Sequence, residues 1–245
     1  MHHFFVQDIR QDRAYFSVEQ SHQIGRVLRL AVGEQLVVLD NAGWQYAAEL
    51  AEVGRRATAV LRHKRPAANE PALHLTLYQA LLKRDNFEWA LQKGTEVGVS
   101  RFVPLLTART VAQPSHKPDR WERILTEAAE QCRRGLIPEL GAPLRLADAW
   151  GQTAMADIAL LPWEEAGGLT VKAALAGKQP RSVALFVGPE GGWTEEEVEN
   201  GRLRGIIPVT LGSRILRAET AAVVSAALIM AEAGEWDTDE HGLAS

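Results

Sequence analysis

Cysteine is nearly absent from this 245-residue sequence, which contains only Cys132. One thiol excludes an internal disulfide framework and any zinc site built from several cysteines, and we expect it to lie in the core. Long apolar runs are absent too, since none approaches the roughly 20 residues that span a bilayer. Residues 1–5 lack the basic segment that precedes the apolar stretch of a secretory signal. These absences predict a cytoplasmic protein without a membrane segment.

A surplus of positive charge is also missing, although phosphate binding requires Lys and Arg. The formal net charge is −4, but residues 231–245 carry −5 and no basic residue, which leaves +1 for the rest. One short stretch of that remainder holds five cations without an acidic residue between them: Arg55, Arg56, Arg62, Lys64 and Arg65. Such a cluster is typical of a nucleic-acid contact or of a strand edge protected by charge.

The segment from Pro66 to Pro71 contains two prolines and no periodicity, which is typical of a linker. We therefore predict one domain over residues 1–70 and a second over 71–236, followed by an acidic tail, 237–245. In the first domain, three strand-like segments at 35–39, 46–50 and 57–61 favour a small β-barrel or meander. A short helix is predicted over Glu19–Val27.

The second domain has the alternation of strands and helices that is typical of parallel β-α units. The strand-like runs are 73–82, 102–106, 158–161, 183–187 and 206–211. Apolar spacing predicts an amphipathic helix over Asp119–Arg134. The last helix, about Glu219–Ala233, has almost no polar face, so it must be enclosed by its own domain, by a second subunit, or by both.

Two loops carry the candidate chemistry. The run Val183–Val187 leads directly into Gly188–Gly192, and Thr194 with Glu197 forms a capping box that opens the next helix. Open α/β sheets bind ligands at such junctions, although a plain tight connection would also use glycine. The loop lacks the Gly-Lys-Ser/Thr of a P-loop and the spacing of a dinucleotide site. Glu190 would repel a pyrophosphate but tolerate a ligand with a sulfonium and an amino group.

The second loop, Gly212–Ala221, places two arginines and Glu219 immediately before the apolar last helix. The arginines suit a phosphate or a base edge, because a planar guanidinium makes paired hydrogen bonds. Glu219 has an alternative role, since an acidic residue at a helix start complements the helix dipole.

At these loops the sequence resembles the SPOUT superfamily of knotted methyltransferases, and within it the 16S ribosomal RNA uracil-N3 methyltransferases. The likeness covers nearly the whole chain and is specific because six matching segments occur in order. They are His22–Arg29, Gln92–Val99, Pro104–Arg109, Glu127–Arg134 with Pro138, Gly188–Gly192 and Leu211–Ala221. The resemblance implies a PUA-like RNA-binding β-barrel, a parallel α/β domain with a C-terminal trefoil knot, and a homodimer with the last helix at or near its interface.

The same resemblance implies that S-adenosyl-L-methionine is the cofactor and that 16S rRNA of the small ribosomal subunit is the partner. The implied cofactor contacts are Leu161, Gly188, Pro189, Gly191, Gly192, Leu211, Gly212, Ile215 and Leu216. The implied RNA contacts are Arg26, Arg29, Arg62, Lys64, Arg65, Lys93, Arg109, Arg133 and Arg134, each of which could instead be a surface charge. We hypothesise that Arg217 polarises a uracil carbonyl and that Glu219 or Glu190 accepts the N3 proton.

Two other functions are compatible with the sequence. A SPOUT enzyme acting on another RNA would share the cofactor, and a ribosome-assembly factor without catalysis would keep only the fold. A metal hydrolase has no support, because the seven histidines show no H-E-x-x-H or comparable spacing; we expect no metal.

Overall fold

The computed structural model describes residues 1–111, 118–153 and 156–237. The chain forms two compact units. The first combines Met1–Glu70 with Thr126–Ile137, and the second combines Pro71–Leu125 with the chain from Pro138 onward. The boundary at residue 70 is the one drawn from the sequence, but the segment 126–137 lies with the first unit.

The first unit is built on a curled six-stranded sheet with the strand order β1-β4-β5-β6-β3-β2. Its strands are β1 (His3–Phe5), β2 (Asp8–Arg10), β3 (Arg13–Tyr15), β4 (Gln35–Leu39), β5 (Trp44–Glu52) and β6 (Thr58–Pro66). The outer strands β1 and β2 are not paired with each other, so the sheet is a half-barrel. Helix α1 (Val18–His22) begins with a capping box at Ser17 and continues into a π-helical turn, Gln23–Val27.

Both faces of strand β4 are buried. Leu36 and Val38 point to one side, into a core with Phe4, Phe16 and Ile24. Val37 and Leu39 point to the other side, as the two-residue period of a strand requires. There they pack with Phe5 against Ala129, with Ala67 and Ile137 beside them. The segment 126–137 therefore covers the second face of the sheet.

A buried ion pair joins this segment to the end of the linker. Arg134 is only 4% exposed, and its guanidinium forms a two-point contact with Glu70, with N···O distances of 3.2 and 2.7 Å. The backbone N–H groups of Gly135 and Leu136 donate to the same carboxylate at 2.8 and 3.0 Å. Paired hydrogen bonds of this kind fix geometry strongly, so Glu70 fixes the chain after helix α3 (Pro118–Cys132) within the first unit.

The second unit contains a parallel sheet in the order β10-β8-β7-β12-β11-β13, with β9 beside β8. Its strands are β7 (His74–Ala80), β8 (Arg101–Leu106), β9 (Glu139–Leu140), β10 (Leu144–Arg145), β11 (Ile158–Pro162), β12 (Ser182–Val187) and β13 (Ile207–Val209). The central strands are mostly apolar because both faces are covered. Tyr78 stacks on Phe186 in one core layer, and burial raises the pKa of its phenol.

The helices of this unit are α2 (Asn86–Val97), α4 (Leu146–Trp150), α5 (Val171–Leu175), α6 (Glu195–Arg202) and α7 (Ala218–Glu232), together with the first half of α3. Helix α7 packs against α2, α5 and strands β7 and β12. Ala222, Ala226 and Ile229 are buried there, whereas Leu228 on the same helix is 41% exposed. Its own unit therefore encloses only part of this apolar helix.

Most predicted elements are confirmed, with ends that shift by a few residues. The helix expected at 119–134 spans 118–132, the last helix spans 218–232, and the capping box at Thr194 and Glu197 is formed. Apart from Asp237, the predicted acidic tail lies outside the described residues. Among the described helices, none has the length and apolar character needed to cross a membrane.

Candidate functional site

The loops that follow β11 and β13 enclose a cavity of about 230 Å³ at the carboxyl end of the sheet. Four predicted cofactor contacts line it: Leu211, Gly212, Ile215 and Leu216. The opposite wall is formed by Pro162, the last residue of strand β11, and by Trp163 and Glu164 after it. The Ile215 side chain is 91% exposed, so the cavity presents an apolar group to its contents. A cavity with an apolar wall and a carboxylate suits a mixed ligand that carries positive charge.

Leu161, also predicted as a cofactor contact, does not line this cavity, because its side chain is fully buried. The residues after it do line the cavity. Trp193 ties the next loop to this wall, since its indole Nε1 donates to the carbonyl oxygen of Pro162 at 3.2 Å. The loops after β11 and β12 are thus in direct contact.

The glycine loop after β12 packs closely against side chains of the same unit. A Cβ on Gly188 would lie 3.1 Å from the Trp193 ring, and one on Gly191 would lie 3.2 Å from Cβ of Arg109. Gly192 has φ +69°, a conformation that favours glycine. The positions that a Cβ would take on Gly188 and Gly191 are therefore next to this protein's own side chains, and the cofactor contacts predicted for these two residues stay predictions. Pro189 is likewise buried.

Arg109 braces the same loop. Its Nη1 donates to the carbonyl oxygens of Gly191 and Trp193 at 2.9 and 3.0 Å. The capping residue Glu197 adds a second tie, because it accepts from the backbone N–H of Ala108 at 2.9 Å. The predicted RNA contact at Arg109 is thus a side chain already engaged in holding the loop.

The two candidate proton acceptors are in different surroundings. Glu190 is exposed, and its Oε1 accepts from the backbone N–H of Lys83 at 2.8 Å. Glu219 is 8% exposed, and its buried Oε2 has no hydrogen-bond partner among the described residues. Arg217 is the exposed residue before helix α7 and makes no side-chain cap. An unpaired buried carboxylate oxygen is costly, and of the two candidates only Glu219 has such an oxygen among the described residues.

Three predicted RNA contacts share the exposed end of strand β6 in the first unit: Arg62, Lys64 and Arg65. Lys64 Nζ lies 4.3 Å from the ring centroid of Trp44 and 5.6 Å from that of Tyr46. Trp44 is 40% exposed. The sequence analysis missed this aromatic pair, although a Trp-x-Tyr spacing places both rings on one face of a strand.

The remaining predicted contacts fall into two groups. Arg26, Arg29 and Arg133 are exposed in the first unit. Arg134 is buried against Glu70, so its predicted RNA contact is wrong: the guanidinium is used inside the fold. In the second unit, Lys93 is half-buried and pairs with Glu96 at 2.7 Å. Within the described ranges, no group of three or more metal-ligating side chains occurs.

Known proteins resemble this chain over nearly its full length. A family model described as an RNA methyltransferase domain matches residues 69–230. Ribosomal RNA small subunit methyltransferase E of Synechocystis sp. is 40% identical over 215 residues, which are 86% of this chain and 71% of that protein. The protein of the same name from Bacillus subtilis is 30% identical over 245 residues, covering 94% of this chain and 96% of that protein.

Solved structures agree. Ribosomal RNA small subunit methyltransferase E from Neisseria gonorrhoeae, bound to S-adenosyl methionine, has a TM-score of 0.84 and 27% identity, covering 94% of this chain and 97% of that chain. A methyltransferase from Legionella pneumophila in complex with the same cofactor has a TM-score of 0.84 and 30% identity, covering 94% and 96%.

Proposed function

The chain belongs to the RNA methyltransferase family that includes ribosomal RNA small subunit methyltransferase E, and we propose from this that it methylates N3 of uracil 1498 in 16S rRNA. It is an S-adenosylmethionine-dependent rRNA methyltransferase. The single observation that carries the assignment is 40% identity to such a protein over 86% of the chain. The cavity between the loops after β11 and β13 agrees with it.

The residues around this cavity fit the cofactor. Leu211, Ile215 and Leu216 offer apolar contact for an adenine ring, and the exposed Ile215 side chain gains most from being covered. The Glu164 carboxylate, on the facing wall, is suited to a positively charged amino group or sulfonium. When bound, S-adenosylmethionine supplies a methyl carbon activated by its attachment to a positively charged sulfur.

The chain's own contribution begins with the proton on uracil N3, which must leave for the nitrogen to become a nucleophile. We assign its acceptor to Glu219, because Oε2 of this residue is buried and lacks a hydrogen-bond partner among the described residues. Glu190 is the less suitable of the two, since its Oε1 already accepts from Lys83.

Arg217 has the complementary role. It lies two residues before Glu219, at the start of helix α7, and its guanidinium is exposed. We infer that it donates to a uracil carbonyl oxygen, where negative charge develops as N3 loses its proton. Holding the acceptor, the cation and the base in one geometry supplies a further part of the rate.

We infer that the first unit binds rRNA through a PUA-like fold. The supporting feature is the exposed strand end with Arg62, Lys64 and Arg65, where Lys64 lies over Trp44. Cations contact phosphates, while an exposed aromatic ring can stack on an unpaired base. Arg26, Arg29 and Arg133 extend the same proposal to other exposed parts of the unit.

We also infer a trefoil knot in the C-terminal part of the chain. Strand β13 lies beside β11, whereas β12, which precedes it in sequence, lies on the other side of β11. The chain after β12 must therefore pass β11 before it joins the sheet. This crossing supports the knot that the resemblance implies. Without the resemblance we would not expect one, because knotted chains are rare among proteins.

We further infer a homodimer that uses helix α7, because Leu228 on this apolar helix is 41% exposed. Light scattering should give a mass near twice the 26.9 kDa of one chain. Leu228→Arg should lower that mass toward one chain, because a charge in an apolar interface is costly. A monomeric wild type would contradict the proposal. We also infer a cytoplasmic location, because the proposed substrate is the small ribosomal subunit.

The experiment that tests the function is methyl transfer from labelled S-adenosylmethionine to small subunits that lack the modification. We expect 3-methyluridine in 16S rRNA, identified by mass spectrometry of the labelled nucleoside. Label in a different nucleoside or a different RNA would show that the proposed substrate is wrong. Cofactor binding without any transfer would favour a ribosome-assembly factor.

A further inference from the structure

We propose that Lys83 and Arg84 form an RNA-phosphate contact of the catalytic unit, and that Glu190 is the positioning residue that holds them there. The proposal rests on the proposed function, since it concerns how the same site takes its RNA substrate. It gives Glu190 a role other than proton acceptor, and it adds two cations that no motif of the sequence indicated.

The two loops involved leave the sheet side by side. Strands β7 and β12 are adjacent and parallel, with Gln79 opposite Val187. The chain after β7 therefore runs next to the glycine loop after β12. At this point the backbone N–H of Lys83 donates to Oε1 of Glu190, with an N···O distance of 2.8 Å. This hydrogen bond to a charged acceptor joins the loop that carries the cations to the loop near the cofactor cavity.

The conformation around Arg84 has to be held by its surroundings. Arg84 has φ +57°, in the left-handed region that a non-glycine residue seldom adopts. Such residues persist where neighbouring contacts determine the backbone, and they cluster at binding sites. The contact from Glu190 is made one residue earlier, at Lys83. Loss of this carboxylate should therefore let both side chains move.

The two cations are available for a partner. Lys83 and Arg84 are both exposed, and neither makes a salt bridge with any residue in the described ranges. The neighbouring cation Arg120 is, by contrast, paired with Glu88 at 2.6 Å. Arg109 is likewise engaged within the fold, where it holds the glycine loop.

Phosphate is the chemistry that fits this pair. A uracil that reacts at N3 must leave any stack or pair to expose that edge, so the enzyme has to hold the backbone beside it. Two adjacent exposed cations can each neutralise one phosphate and release its counterions. The carboxylate of Glu190 keeps its negative charge, but its hydrogen bond from the Lys83 backbone N–H places it beside two positive charges, which outweigh it.

The first test compares Lys83→Ala/Arg84→Ala with Lys178→Ala/Arg181→Ala. The control pair is exposed and belongs to the same unit. Arg181 immediately precedes β12, so it lies at the amino end of that strand, away from the loops that follow β7 and β12. Binding of a 16S rRNA fragment is measured by titration at several salt concentrations. We expect roughly tenfold weaker binding at low salt and a log–log salt slope reduced by about 0.7–0.9 for each phosphate that is no longer neutralised, only for the first pair.

Cofactor affinity of both double variants should equal that of the wild type, which excludes a general loss of folding. Methyl transfer by Lys83→Ala/Arg84→Ala should show a raised KM for RNA with kcat within about twofold at saturation. Unchanged RNA affinity and an unchanged salt slope would overturn the proposal. If wild-type protein methylates its subunits, that outcome leaves the proposed function intact; only an inactive wild type contradicts the function itself.

The second test separates positioning from proton transfer at Glu190. Glu190→Gln keeps an oxygen that can accept from the Lys83 N–H, whereas Glu190→Ala removes it. For a positioning residue, Glu190→Gln retains most of the RNA affinity and kcat, and Glu190→Ala resembles the Lys83/Arg84 variant. Equal loss of kcat in both, with RNA affinity unchanged, would mean that Glu190 is the proton acceptor and would overturn its assigned role.

Discussion

Single side chains decide the chemistry at the carboxyl end of the parallel sheet. Glu219 and Glu190 are both acidic, but the structure separates them by what their oxygens contact. Glu190 accepts from a neighbouring loop, while Glu219 keeps a buried oxygen without a described partner. From the buried, unpaired oxygen of Glu219 and the hydrogen bond already made by Glu190, we propose that Glu219 is the residue that takes the proton.

Glu219→Gln should therefore lower kcat by roughly 10²–10⁴-fold, the usual contribution of a general base. The matched control is Glu232→Gln, which changes an exposed glutamate at the other end of the same helix α7. Rates are measured by methyl transfer at saturating RNA and cofactor. A Glu219→Gln variant that works at the wild-type rate would remove this residue from the mechanism.

Glu130 has a different kind of perturbation, in the first unit. Burial raises the pKa of its carboxyl to about 7, against the opposing effect of a hydrogen bond from the backbone N–H of Phe5. The folded protein therefore keeps a proton that the unfolded chain releases near pH 4.5. Stability from this group is complete below that pH and is lost as the pH rises toward about 7.

Glu130→Gln should remove this part of the pH dependence, because an amide does not titrate. As the pH rises from 4.5 to 8, the wild type should lose about 1–3 kcal/mol more unfolding free energy than the variant does. Urea unfolding at both pH values measures the difference, and Glu122→Gln, an exposed glutamate on the same helix, is the control. An identical pH response in wild type and Glu130→Gln would show that the carboxyl is not perturbed.

Only part of the glycine loop, residues 188–192, could be predicted from the sequence. Its location between a strand and a capped helix follows from sequence alone, because the capping box is a local pattern. The reason for Gly188 and Gly191 does not, since Trp193 and Arg109 fill the space above them only once distant segments have folded together. Arg134 is another instance: its partner Glu70 lies 64 residues away in sequence.

Helices and strands were predictable where their pattern is local. The apolar spacing of α3 and the apolar strands of the parallel sheet are properties of consecutive residues. Assignment of an element to its unit is a tertiary property, and α3 is the instructive case, because its two halves belong to different units. Periodicity identifies a buried face but carries no information about what buries it.

The contact between Gly135, in the segment after helix α3, and Ala67, in the linker, can be tested by a pair of substitutions. A Cβ on Gly135 would lie only 2.3 Å from Cβ of Ala67. Gly135→Ala should therefore destabilise the protein by roughly 1–3 kcal/mol, as overpacking does. Ala67→Gly should restore part of that stability in the double variant, because it removes the clashing atom. Denaturant unfolding of all four proteins measures the coupling, and additive effects would contradict the contact.

For the chain as a whole, net charge is a poor guide to its partner. The total of −4 includes an acidic C-terminal segment, while two groups of exposed cations lie on the end of β6 and on the loop after β7. Electrostatic attraction to RNA depends on such local groups, since charges beyond about 10 Å are screened at 0.1 M salt. The distribution, which is readable from the sequence, is the better predictor.

Arg62→Ala/Lys64→Ala/Arg65→Ala should weaken RNA binding while leaving cofactor affinity unchanged, because the cavity lies in the other unit. The slope of log K against log salt should fall by up to about 2–3, since each of the three cations can neutralise one phosphate. Filter binding over a salt series measures it, with Arg10→Ala as control: Arg10 is exposed in the same sheet and already paired with Asp8. Equal slopes for the triple variant and wild type would count against an RNA-binding role of β6.

The discontinuity of the first unit has a consequence for how the protein is made. Its sheet is complete after Pro66, but Val37 and Leu39 remain without their cover until Ala129 and Ile137 have been synthesised. By then β7, α2 and β8 of the other unit have already been synthesised. The nascent protein therefore holds two unfinished cores at the same time, and the first unit can close only after part of the second has been made. A fragment ending at Glu70 would reproduce that exposed intermediate permanently, so the linker is a poor place to divide this chain.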